Sequence, residues 1–151
     1  MKTTNEMEII FDGVSENEAF ARVAVAAFLS QMNPTLEEVE DVRTAVSEAV
    51  TNAIIHGYET NPGKIRIRCE VREDSFYIEI RDEGIGIEDI ERAMEPLFTT
   101  KPELERSGLG FVFMQAFMDE VYVESEPGKG TTIKMKKCIG KGTEVWTTQL
   151  L

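Results

Sequence analysis

Two short runs in the middle of the chain constrain it most. In KIRIRCE (64–70), Ile65, Ile67 and Cys69 alternate with charged residues, and in SFYIEIR (75–81), Phe76, Ile78 and Ile80 alternate with Tyr77, Glu79 and Arg81. A period of two is that of a strand with one buried face. Glu73, Asp74 and Ser75 supply a turn, so the two runs predict a hairpin whose apolar face needs a covering layer.

The preceding residues provide that layer. Ser15 and Glu18 have capping-box spacing ahead of a long apolar stretch, which predicts a first helix ending before Pro34. Thr35 and Glu38 repeat the signal. A second helix then runs to about His56, with Leu36, Val39, Val42, Val46, Ala49, Val50 and Ala53 at helical spacing and Gly57 suited to its end. Residues 7–12 read as a short strand, 88–94 as a brief helix and 109–118 as a third helix. VYVES and TTIKMKK form a final hairpin that turns at Pro127-Gly128-Lys129-Gly130. One domain over 1–137 is expected, with a loosely held tail over 138–151.

Charge narrows the function. Lys and Arg total 16 against 28 Asp and Glu, a net charge of −12. Such a chain is repelled by phosphate backbones, so direct nucleic-acid binding is disfavoured and a basic protein partner suits it better. Cys69 and Cys138 follow no metal-ligand spacing and read as free thiols. No signal peptide or apolar run of spanning length is visible, so a cytoplasmic protein without a membrane segment is expected.

Three segments carry candidate chemistry. Glu48, Asn52 and His56 are four apart on one helical face; alone, that is the ordinary pattern of a solvated stripe, though Asn is a poor mid-helix residue. Asp82-Glu83-Gly84-Ile85-Gly86 ends a strand, where glycines let a ligand approach the backbone and Asp82 can accept from an exocyclic amine. Ser107-Gly108-Leu109-Gly110 opens the third helix, whose unpaired N–H groups suit an anion, and Thr99, Thr100, Lys101 and Arg106 precede it in a polar loop.

In combination the segments are far more specific. SEAVTNAIIHG, DEGIGI, FTTKPELERSGLGF and GKGTT occur in an order and at spacings that resemble the nucleotide-binding boxes of the GHKL ATPases, over roughly 7–137. SENEAFARVAVAAF, PLFTTKPELERSGLGF and FMDEVYVESEPGKGTT are further similar to the anti-sigma kinases of sporulating Gram-positive bacteria that act on sigma-F. The sigma-B stress-pathway kinases are the near alternative, and a non-catalytic, ATP-dependent sigma-binding module is another.

The resemblance implies a two-layer α/β sandwich, with a mixed, mostly antiparallel sheet and helices on one face. It implies ATP and Mg²⁺ as cofactors, with Asn52 on the metal, Asp82 on the adenine amine and Thr131 supporting it. Gly84 and Gly86 would shape the pocket. Thr99, Thr100, Lys101, Arg106 and Ser107 would form a lid, and Gly108, Leu109 and Gly110 would bring backbone N–H groups to phosphate. Glu48 would be the general base and Arg106 a second catalytic group; His56 would be structural. The implied partners are sigma-F, an anti-anti-sigma protein phosphorylated on serine, and a second copy of the chain. Arg22, the only charge between Ala19 and Phe28, is by base rates a solvated outer-face residue; the resemblance makes it a partner contact.

Overall fold

The computed structural model describes residues 4–57, 63–87, 94 and 110–140. The elements are β1 (Thr4–Asp12), α1 (Glu18–Leu29), α2 (Leu36–Asn52), β2 (Lys64–Arg72), β3 (Ser75–Asp82), α3 (Gly110–Phe117), β4 (Glu120–Glu126) and β5 (Gly130–Cys138). The strands form one sheet in the order β1-β2-β3-β5-β4, and each neighbouring pair is antiparallel. The fold is the expected α/β sandwich. No parallel pair occurs among the described strands, so the mixed component of the expected sheet is not found there.

Alternation in the sequence becomes burial in the fold. Ile65, Ile67, Cys69 and Val71 of β2, with Phe76, Ile78 and Ile80 of β3, point into the core beside Ile133 and Met135 of β5. The helices cover that face. α2 packs against both α1 and α3, contributing Val42, Ala45, Val46, Ala49 and Val50, while α1 adds Ala21, Val25 and Leu29. Each large core side chain stabilises the fold by roughly 1.5–3 kcal/mol. The other sheet face carries exposed ion pairs such as Arg68–Glu6 and Lys134–Glu124, at about 0–1 kcal/mol each. Burial of the helix-facing side therefore decides the fold.

Cys69 lies within this core, where burial pushes its thiol up to about 12, and both cysteines are free as expected. Among the described residues no helix is long and apolar enough to cross a membrane.

The two capping boxes fare differently. Thr35 and Glu38 form theirs: the Thr35 hydroxyl accepts from the Glu38 N–H at 3.1 Å, and Glu38 Oε1 accepts from the Thr35 N–H at 2.8 Å. The Ser15–Glu18 box does not form. Ser15–Asn17 is a 3₁₀ turn, α1 starts after Asn17, and the Glu18 carboxylate instead accepts from the Ser47 hydroxyl of α2. A tertiary partner has outcompeted the local one.

The tail begins more firmly than expected. Ile139 is buried and its N–H donates to the Asp74 carbonyl at 2.8 Å. The Gly140 N–H donates to the second oxygen of Glu38 at 2.9 Å. The remainder of the tail, 141–151, and the brief helix expected over 88–94 lie outside the described residues, apart from Met94.

Glu38 thus joins the start of α2 to the end of β5 through one buried carboxylate. Glu38→Ala leaves two backbone N–H groups without this acceptor and should cost about 2–3 kcal/mol. Urea unfolding is expected to show a lower midpoint at nearly constant slope. An unchanged midpoint would mean that the carboxylate does not hold these segments together.

Candidate functional site

The sheet is apolar on its helix side until its last rung. There Asp82 stands opposite Thr131, and Thr131 opposite Ser125, across β3, β5 and β4. Directly opposed residues share a face, so all three look toward the helical layer. The next rung inward is Ile80, Ile133 and Val123, and the one after it Ile78, Met135 and Val121. Polarity therefore changes where the strands end.

Asp82 is buried, and Oδ1 accepts from the Gly84 N–H at 2.9 Å. Burial holds its carboxyl above the usual carboxylate range, although the Gly84 and Thr131 N–H groups pull it back down. Ser125 Oγ contacts Thr131 Oγ1 and the Gly130 carbonyl, both at 2.9 Å, and accepts from the Ile87 N–H at 2.8 Å. Two glycines permit this closeness. Gly86 has φ +79° and Gly130 φ +98°; a Cβ on Gly86 would strike the Glu126 carbonyl, and one on Gly130 the Asp82 carbonyl.

A second cluster lies where α3 meets α2. Gly110 is buried in α3, on the side of the helix that meets α2. A Cβ placed on it would lie 3.3 Å from Asn52 Nδ2 and from Glu48 Oε2, and 3.5 Å from Asn52 Oδ1. A methyl there would be tight against both side chains, which would have to give by a few tenths of an ångström. Asn52 closes α2, and the chain then widens into a π turn over Ala53–Gly57, a distortion common at functional sites. The turn ends the regular four-residue register before His56, whose side chain lies outside the described residues.

These groups fit a metal-bound nucleotide phosphate. Asn52 Nδ2 is buried with no hydrogen-bond partner among the described residues. Such a group is costly unless something supplies a partner. The amide and carboxylate oxygens of Asn52 and Glu48 are hard donors of the kind Mg²⁺ accepts. No group of three or more His, Cys, Asp or Glu converges among the described residues, so these few oxygens would need phosphate and water to complete the shell.

Of the residues proposed from sequence, the structure brings Glu48, Asn52 and Gly110 together, and Asp82, Gly84, Gly86 and Thr131 together. Thr99, Thr100, Lys101, Arg106, Ser107, Gly108 and Leu109 lie outside the described residues. Arg22 is half-buried on α1, and its Nε is buried with no partner among the described residues, so it is not a freely solvated side chain. Sequence reasoning missed Ser125, which resembles any polar residue on a strand. Counting outward from the Pro127–Gly130 turn places it opposite Thr131, and that register was the available signal.

Residues 15–137 match the histidine kinase-like ATPase domain family. The chain is 61% identical over 133 residues to an anti-sigma F factor of Clostridium acetobutylicum, covering 88% of this chain and 93% of that protein. It is 58% identical over 138 residues to an anti-sigma F factor of Geobacillus kaustophilus, covering 91% and 94%. Among solved structures it resembles the RsbU and RsbW domains of Rv1364c from Mycobacterium tuberculosis, with a TM-score of 0.65 at 18% identity, covering 89% of this chain and 32% of that one. That structural likeness bears on the fold alone.

Two outcomes are expected of this geometry. Gly110→Ala adds a methyl against Glu48 and Asn52, while alanine favours a helix by about 1 kcal/mol. Stability should therefore stay within about 1 kcal/mol of wild type while Mg-ATP affinity falls roughly tenfold or more, read by melting and titration side by side. Unchanged affinity would remove Gly110 from the site. Asp82→Asn removes a buried anion. Because the folded-state pKa of Asp82 is raised, the stability that its protonation confers is full below the ordinary carboxylate value and lost as pH rises through the raised one. The Asn variant should thus melt higher near neutral pH, and the two curves should converge on acidification; a constant offset across pH would contradict this.

Proposed function

The chain belongs to the anti-sigma F factor family of histidine kinase-like ATPase domains, and on that premise we propose that it both sequesters sigma-F and acts as an ATP-dependent protein-serine kinase. Bound sigma-F is withheld from RNA polymerase. The anti-anti-sigma antagonist is inactivated when one of its serines is phosphorylated. The protein works in the cytoplasm as a homodimer, and its net charge of −12 supports a role without direct nucleic-acid contact.

One observation carries the kinase reading: Glu48 and Asn52 converge on Gly110 of α3. An acid and an amide oxygen brought together within one small region suit phosphoryl transfer, where the catalytic task is positioning and charge stabilisation. Asp82 and Thr131 hold the adenine amine at the end of the sheet, with Gly84 and Gly86 shaping the wall around it. Asn52 contributes a ligand to Mg²⁺, which when bound neutralises charge on the phosphates. Glu48 orients the acceptor serine and takes its hydroxyl proton. The serine Oγ bonds to the γ-phosphorus as the bond from that phosphorus to the bridging oxygen breaks, releasing ADP. By resemblance, Thr99, Thr100, Lys101, Arg106 and Ser107 close over the nucleotide, and Gly108, Leu109 and Gly110 present N–H groups to its phosphates. Arg22 serves as a partner contact.

Glu48→Gln keeps the size of the side chain and loses the base. It should still bind Mg-ATP and retain sigma-F in a pull-down. Transfer of labelled phosphate to the antagonist serine should fall about 10²–10⁴-fold. Near-normal transfer would refute the role of Glu48, and absence of transfer by the wild-type chain would refute the kinase reading itself.

A further inference from the structure

We infer that Ser125 fixes the direction of the Thr131 hydroxyl proton and thereby sets the preference for a base bearing an amine over one bearing a carbonyl. This rests on the nucleotide-binding reading above and adds a specificity-determining residue to it.

The argument is a proton count. A serine hydroxyl has one proton to give and two lone pairs to receive with. Among the described residues Ser125 Oγ has three polar neighbours: the Ile87 N–H at 2.8 Å, the Gly130 carbonyl at 2.9 Å and Thr131 Oγ1 at 2.9 Å. The Ile87 N–H can only donate and the Gly130 carbonyl can only accept. The proton of Ser125 is therefore committed to Gly130. The contact with Thr131 is then a hydrogen bond only if Thr131 donates to Ser125. With its proton turned toward β4, Thr131 has only lone pairs left for anything else.

Asp82 stands directly opposite Thr131 on the same face. The last rung thus offers acceptors from both β3 and β5 side by side. An exocyclic amine presents two N–H groups and satisfies both; a carbonyl in the same place meets lone pairs on each side. Phosphates anchored near Gly110 fix the pose of the purine, so its position 6 falls at the same point whether it bears an amine or an oxygen. Ser125 acts through Thr131 and is a positioning residue.

The probe is inosine triphosphate, which has a carbonyl where ATP has its amine. Mg-ATP and Mg-ITP are titrated into the full chain and into Ser125→Ala, Ser125→Thr and Ser125→Cys. In Ser125→Ala the Thr131 hydroxyl is released and can turn to donate to the inosine carbonyl. The ATP-to-ITP affinity ratio should shrink about tenfold, largely through better ITP binding. Ser125→Thr keeps the hydroxyl and should keep the ratio. Ser125→Cys keeps the bulk with a weaker hydrogen-bonding group and should fall between, which also provides the test if Ser125→Ala does not fold. An unchanged ratio in the Ala or Cys variant would overturn the inference, even if both affinities dropped together. Failure of the wild-type chain to bind ATP would instead overturn the nucleotide reading, and this inference with it.

Discussion

The missing side chain at position 110 is the constraint on which the site depends. α3 comes against the end of α2 at Gly110, where a Cβ would stand 3.3 Å from Glu48 Oε2 and from Asn52 Nδ2. The opposite end of α3 is held by a different force. Lys137 of β5 donates to the Phe117 carbonyl at 2.6 Å and pairs with Asp41 of α2 at 3.3 Å, with both side chains mostly sheltered. Close packing thus sets one end of α3 and a cation on the terminal carbonyls sets the other. The packed end leaves little slack, because two polar side chains lie within a tight contact distance of where a methyl would go.

The polar end of the sheet opposes the stability of the fold that carries it. Asp82 and Asn52 each present a polar atom in buried surroundings, where apolar residues of similar size would be cheaper. Apolar rungs of Ile, Met and Val run directly up to Asp82, Thr131 and Ser125 and offset that cost by burial. Placing the polar groups on the final rung limits the disturbance to one end of the sheet. It also puts them where loops, with their freer backbone, can close around a ligand.

Much of this was legible in the sequence because it is written locally. The alternation in 64–70 and 75–81 specified the hairpin and its buried face. The Thr35–Glu38 box specified the start of α2, and the order of the glycine-rich segments pointed to the candidate site. What escaped depends on contacts distant in the chain. Glu18 has the spacing of a capping residue, but its partner is Ser47, 29 positions away. The π turn after Asn52 has no local sequence signal and replaces what reads as continued helix. Gly140 looks like part of a featureless tail until the second oxygen of Glu38 is seen to hold it, 102 positions away. Ser125 needed the register of the last hairpin before it had any meaning.

With the nucleotide base held as proposed, the last rung would also tie ligand binding to the correctness of strand pairing. Asp82, Thr131 and Ser125 come from three strands and meet only in one alignment of β3, β5 and β4. A slip of β5 by two residues would keep every side chain on its proper face and preserve the apolar pattern, yet it would set Ile133 or Lys129 opposite Asp82. Hydrophobic patterning alone discriminates poorly against such an even-numbered slip, because the period of a strand is two. Assembly of the polar rung supplies the missing discrimination. On the proposed site, a chain that binds nucleotide would report that its sheet is in register, and nucleotide would draw misaligned molecules toward the native pairing by mass action.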